Sequence, residues 1–167
     1  MTKTLSDLKE AFAGESQANR KYLAFAKKAD QDGFPQVARL FRAAAAAETV
    51  HAHAHLRAMD GIKGTVENLK EGISGEHHES YSMYPEFIKD AEAEGNKRAL
   101  RSFQNAMAVE MEHEGYYSEA LEMVEKGAQM EEYDYYICPV CGHTHARTAP
   151  DKCPICGAAG STFERVH

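Results

Sequence analysis

The chain carries one helix-pair pattern twice. A shift of 62 residues lays Tyr22 on Tyr84, Phe25 on Phe87, Gly33 on Gly95, Phe41 on Phe103, Glu48 on Glu110 and His51 on His113. This is an internal duplication. Because the shift carries a glutamate and a histidine onto themselves, the duplication preserves chemistry as well as shape.

Each copy reads as two helices. Leu5, Leu8, Phe12, Tyr22, Leu23, Phe25 and Ala26 recur among good helix formers, with no proline before Pro35, and Asp32-Gly33-Phe34-Pro35 closes the first helix. A second, alanine-rich helix is predicted over about 36–59 and ends at Asp60-Gly61 and Gly64. A third is predicted from Thr65, a candidate N-cap, to Ala93, with Gly72, Gly75 and Pro85 as irregularities. Glu94-Gly95-Asn96 then turns the chain into a fourth, about 97–126. Four long helices with short joints make a bundle.

Glu48-Thr-Val-His51 and Glu110-Met-Glu-His113 are both Glu-x-x-His. Residues three apart on a helix project from one face, so each pair offers an oxygen and a nitrogen to one point. Either pair alone is unremarkable on a solvated face. Two pairs at matching repeat positions, beside Val50, Met107 and Met111, point inward instead. Glu15 and Glu76 supply one further carboxylate per copy, offset by 61 residues where the rest of the repeat is offset by 62. Two glutamate helices and two Glu-x-x-His helices meet the needs of a di-metal carboxylate site in a bundle. Carboxylates buried together without a cation would stay desolvated and repel, and mixed carboxylate and imidazole donors suit iron or manganese.

All four cysteines fall in Cys138-Pro-Val-Cys141-Gly and Cys153-Pro-Ile-Cys156-Gly, where the helical period has been lost. About 30 residues cannot form a self-sufficient core, so this tail needs a metal or a neighbour. Two matching knuckles with thiolates at this spacing make a tetrahedral site, which zinc or a single iron would fit equally.

Gly14-Glu-Ser-Gln-Ala, Glu48-x-x-His51, Glu76-His-His-Glu79, Tyr84 and Glu110-x-x-His113, followed by the four cysteines, resemble rubrerythrin along essentially the whole chain. The resemblance implies a mainly α fold: a ferritin-like four-helix bundle over 1–132, then a small rubredoxin-like metal-bound domain over 133–167. It implies two irons held by Glu15, Glu48, Glu76, Glu110 and His113, with Glu48 and Glu110 bridging. It also implies a position at Glu79 that binds one iron when oxidised and is replaced by His51 on reduction. Tyr22, seven residues after Glu15, and Tyr84 would stand beside the irons. Cys138, Cys141, Cys153 and Cys156 would hold a third iron, with zinc or manganese as possible substitutes in the sites. His53, His55, His77 and His78 are expected not to be ligands.

The function implied is two-electron reduction of hydrogen peroxide to water, protecting against oxidative stress. Electrons would return singly through the four-cysteine iron from a rubredoxin or an NADH-linked reductase. Ferritins and di-iron oxygenases manage with four carboxylates, so Glu79 favours the peroxidase. A ferroxidase or iron-storage protein, and a non-catalytic zinc-tailed protein, are the alternatives. A formal charge of -7 and the lack of a dense basic block disfavour nucleic acid as a partner, and no apolar run is long enough for a membrane helix. Cysteines clustered in this way are expected of a metal site in a reducing cytoplasm.

The chain is expected to be a homodimer. In one bundle with two-fold symmetry the second and third helices run parallel, so their joint must travel about 34 Å back along the axis at roughly 1.5 Å per residue. Residues 61–64 reach only about 14 Å when extended. Either 65–73 unwinds into a crossover, or the third and fourth helices join the first two of a second chain. The helical spacing of Val66, Leu69 and Ile73 favours the exchange.

Overall fold

The structure is a computed structural model that describes residues 2–166. The helices are α1 (Lys3–Gln31), α2 (Pro35–Ala58), α3 (Thr65–His78), α4 (Tyr84–Ala93) and α5 (Lys97–Glu125), and a π-helical turn at Glu79–Met83 joins α3 to α4. Three short strands follow, β1 (Tyr135–Ile137), β2 (Thr144–Ala146) and β3 (Glu164–Val166). The chain divides into two compact units, one ending at Lys63 and the other starting at Gly64. Among the described residues no helix is long and apolar enough to cross a membrane.

The same glycine turn closes the first half of both copies, whereas among the described residues a side chain caps only α1 and α5. Thr2 accepts a hydrogen bond from the Leu5 amide at the head of α1, and Asn96 accepts one from Ala99 at the head of α5. Gly33 and Gly95 take the left-handed conformation, with φ of 82° and 67°. The next amides, Phe34 N and Asn96 N, then reach back to Ala29 O and Ala91 O at 2.8 and 2.9 Å. A side chain with a Cβ would be strained at both glycines.

Packing within each copy repeats as well. Tyr22, Phe25 and Phe41 form an aromatic triad with centroids 5.6–6.4 Å apart, and Tyr84, Phe87 and Phe103 form its counterpart at 5.5–6.2 Å. In the first unit Ala38, Ala45 and Ala52 are buried along one face of α2, where small side chains let α1 approach closely. Larger apolar groups stay open: Leu40 is 67% and Val50 63% exposed, and Phe25, Phe87 and Met111 are exposed too.

The third helix expected over 65–93 is interrupted, and not at its glycines. Gly72 lies inside α3 where the Tyr117 ring of α5 approaches, and an added Cβ would stand 3.1 Å from that ring. The interruption is the π turn, in which the Tyr84 amide reaches back five residues to Glu79 O. A π turn holds one more residue than an α turn. This accounts for the offset: Glu15 and Glu76, before the turn, are 61 apart, whereas Tyr22 and Tyr84, after it, are 62 apart.

The tail is an antiparallel sheet in the order β2-β1-β3, with Tyr136 opposite His145 and Arg165. It lies in the same unit as α5 and packs on it.

Candidate metal centres

α1 and α2 bring together a first group. Glu15, Glu48 and His51 each place one ligand atom within 4.8 Å of the others. His51 Nδ1 is 2.9 Å from Glu48 Oε2 and 3.9 Å from Glu15 Oε1. Buried Asn19, one turn after Glu15, holds the two helices in this register. Its Nδ2 donates to Ala45 O at 2.7 Å and to Thr49 Oγ1 at 2.8 Å, either side of Glu48 in sequence.

The second copy repeats the arrangement in the other unit. Glu76 from α3 and Glu110 and His113 from α5 form the group, with His113 Nδ1 2.8 Å from Glu110 Oε2 and 3.9 Å from Glu76 Oε1. Burial, and then the charge of Glu110, raise the Glu76 carboxyl above its usual range, with Glu79 adding to this and His113 opposing it. The hydrogen bond to Glu110 holds the His113 imidazole above its ordinary value, against burial. An acid raised by burial beside a second carboxylate is what a bound cation relieves.

Glu79 opens the π turn outside the three-residue group, close enough to act on Glu76 and Tyr84. Burial, Glu79, Glu110 and Glu76 together push the Tyr84 phenol up, so its hydroxyl stands among the carboxylates. Tyr22 packs its ring against Phe25 and Phe41. His53, His55, His77 and His78 join no ligand group among the described residues. His77 instead bonds Glu114 at 2.9 Å and stacks on Tyr81.

Cys138, Cys141, Cys153 and Cys156 form the third group, with Sγ separations of 3.6 Å for 138–156 and 3.5 Å for 141–153. The knuckles are built alike. Cys138 N donates to His143 O and Gly142 N to Cys138 O, while Cys153 N donates to Ala158 O and Gly157 N to Cys153 O, all at 2.8–3.0 Å. Burial raises the Cys141 and Cys156 thiols. Burial works against Cys153 too, but backbone N–H groups of Cys156 and Ile155 outweigh it and bring that thiol down to about 6. Amides aimed at sulfur favour thiolate, the form that binds metal.

The seam between tail and α5 involves residues with no sequence signal. Thr144 Oγ1 is 2.9 Å from His113 Nε2, Tyr116 donates to Thr144 O at 3.3 Å, and His143 Nδ1 is 2.6 Å from Glu112 Oε2. Val109, buried in α5, lies 3.9 Å from where a Cβ on Gly142 would sit.

Two family models match, Rubrerythrin over residues 7–121 and the rubredoxin-like domain of rubrerythrin over 136–164. The chain belongs to the rubrerythrin family. It is 38% identical to nigerythrin of Nitratidesulfovibrio vulgaris over 96% of this chain and 85% of that one. It is 35% identical to a rubrerythrin of Porphyromonas gingivalis, over 98% of this chain and 90% of that one. Solved structures of nigerythrin in mixed-valent and fully reduced, all-ferrous states match at TM-scores of 0.57 and 0.58, each 35% identical over 99% of this chain and 88% of the other. Rubrerythrins are oxidoreductases with a di-iron site and a rubredoxin-like four-cysteine site. The donors fit both: half-buried carboxylates with imidazole in the helices, four converging sulfurs in the tail.

Proposed function

We propose that this rubrerythrin is a peroxidase that reduces hydrogen peroxide to water, taking two electrons and two protons per peroxide and drawing the electrons through its four-cysteine site. The observation that carries the reading is the seam: the tail is hydrogen-bonded to His113, on the helix that carries half of the ligand set. A storage protein or ferroxidase has no need of a one-electron centre held there.

Glu15, Glu48, Glu76, Glu110 and His113 would hold the two irons, which supply electrons and Lewis acidity toward the O–O bond. Glu79 would be the fifth carboxylate, exchanging with His51 as the charge of the site changes. His51 suits an exchanging role because its side chain is 55% exposed. Tyr84 keeps an O–H donor among the carboxylates, where it would hydrogen-bond the peroxide substrate, and Tyr22, at the repeat-related position, would offer its hydroxyl from the first copy. The electron donor would be a rubredoxin or an NADH-linked reductase in a reducing cytoplasm, where four thiolates persist.

The working unit would be a homodimer exchanging helix pairs. Glu48 lies ten residues before the end of α2, and Glu76 eleven after the start of α3. A joint within one bundle would have to return about 31 Å. The six residues between α2 and α3 span at most about 25 Å, and α3 is helical from Thr65, so it offers no unwound crossover. The exposed apolar residues Leu40, Val50 and Met111 give a second copy's helices something to cover.

Anaerobic stopped-flow mixing of the fully reduced, iron-loaded protein tests the activity. Peroxide should reoxidise it rapidly and oxygen slowly. Faster reaction with oxygen would move the protein to the ferroxidase class, and no reaction with peroxide would end the proposal.

A further inference from the structure

The two histidines of the repeat meet their carboxylates alike, yet only one is held from behind. His51 has no partner to its Nε2 among the described residues, whereas His113 Nε2 is 2.9 Å from Thr144 Oγ1. We propose that Thr144 is a positioning residue for His113, and that metal in the four-cysteine site strengthens metal binding by Glu76, Glu110 and His113 through it. The inference rests on the di-iron site of the family and not on the peroxidase reading.

The tautomer follows from the distances. Nδ1 of His113 is the nitrogen facing the carboxylates, at 2.8 and 3.9 Å. A neutral imidazole that ligates through Nδ1 carries its proton on Nε2. That N–H donates to Thr144 Oγ1, and the threonine's own proton goes to Gly142 O at 3.4 Å. Each donor is used once and points one way, from the ligand toward the knuckle. Thr144 is 8% exposed, so water does not compete freely for the bond. A partner of this kind fixes ring orientation and makes the ligating nitrogen a better donor.

Coupling to the tail follows from where Thr144 stands. It opens β2 immediately after the first knuckle, whose shape depends on Cys138 N to His143 O and Gly142 N to Cys138 O, both 2.9 Å. Four sulfurs about 3.5 Å apart repel as thiolates unless a cation holds them, so the knuckle is tightest when the site is filled. His143 to Glu112 and Tyr116 to Thr144 O then pass that rigidity to α5 on both sides of His113. Coupling of this kind is reciprocal, so metal at the helices would also favour the closed knuckle.

Cobalt(II) titration of the whole 167-residue chain tests this without turnover. Zinc first fills the four-cysteine site, and the d–d absorption of carboxylate-bound cobalt reports the helical site. Thr144→Val, which keeps the shape and removes the hydroxyl, should weaken cobalt binding about tenfold, the low end of what such partners contribute. Thr144→Ser should bind as the parent does. Emptying the tail with Cys141→Ser and Cys156→Ser should cost a similar factor, and Thr144→Val on that background should add nothing. In the zinc-filled parent, a slowly exchanging His113 Nε2–H should appear in the spectrum of 15N-histidine-labelled protein and vanish in Thr144→Val. Unchanged affinity on emptying the tail would overturn the coupling even if Thr144→Val does not fold. Unchanged affinity in a folded Thr144→Val protein, or an equal further loss on the emptied background, would overturn the role of Thr144.

Discussion

The groups at Glu15, Glu48 and His51 and at Glu76, Glu110 and His113 agree to within 0.1 Å in both imidazole-to-carboxylate distances, and differ in almost everything behind them. The second has a π turn that brings in Glu79, and a tail bonded to its histidine; among the described residues the first has neither. Duplication copied what the helix period dictates, namely which side chains share a face. Divergence then worked on the surroundings, leaving His51 exposed and His113 at 27% exposure with its second nitrogen engaged. On the proposed reading, the fixed ligand would belong to the second copy and the mobile one to the first.

The largest effect that could break this picture concerns whether the two groups of one site come from one chain. Glu15→Ala and Glu76→Ala should each abolish di-iron loading when expressed alone. Co-expressed in one cell, an exchanging dimer regains intact sites, because both defects fall together in one site of each heterodimer; about a quarter of all sites should load iron, measured by metal analysis and Mössbauer spectroscopy. No recovery would mean that each bundle is a single chain.

Next in size, Glu79→Ala should slow reoxidation by peroxide about 10- to 100-fold in stopped flow, the usual cost of losing a residue that tunes a metal site. An unaltered rate would remove the functional meaning of the π turn and leave the seam at His113 as the difference between the copies. A smaller effect is expected at the seam: Val109→Ala should destabilise the second unit by about 2 kcal/mol in denaturant, since its side chain is buried under the first knuckle. Val50→Ala, at an exposed place in the first copy, should cost an isolated monomer almost nothing. A comparable cost at Val50 in the dimer would locate the face that the second chain covers.

The smallest effect is a pH dependence of the seam. Tyr135 packs edge-on against Tyr116, and burial, with a hydrogen bond to Tyr133, pushes its phenol up to about 12. The folded state therefore keeps a proton that the unfolded chain gives up near 10. Its contribution is complete below pH 10 and is lost as the pH rises toward 12. Thermal melts across that window should fall less steeply for Tyr135→Phe than for the parent, and parallel curves would exclude Tyr135 as the cause.

Most helix limits were legible from the sequence because they depend on local chemistry. Thr65, however, is not the cap of α3, where Gly64 stands in that place without a side-chain bond, and the break at Glu79–Met83 was not foreseen. Gly33 and Gly95 end their helices by a conformation that few other residues accept, and Asn96 caps the next one with its own side chain. The ligand groups were legible because three-residue spacing puts Glu and His on one face, and the duplication raised the pattern above chance. The π turn left a trace, the change of offset from 61 to 62, which locates the extra residue between Glu76 and Tyr84 without saying what backbone absorbs it. Asn19, Glu112, His143 and Thr144 left none: their partners lie 26 to 31 residues away, and a polar residue at a knuckle or mid-helix has many uses.

The sequence by itself therefore determined the helices, the two carboxylate and histidine groups and the four-cysteine knuckles, because each depends on periodicity or on residues a few positions apart. Only the tertiary structure decided that the tail lies on α5 of its own chain with Thr144 against His113. That choice is made by burial and hydrogen-bond geometry between segments about 30 residues apart, which no local spacing encodes.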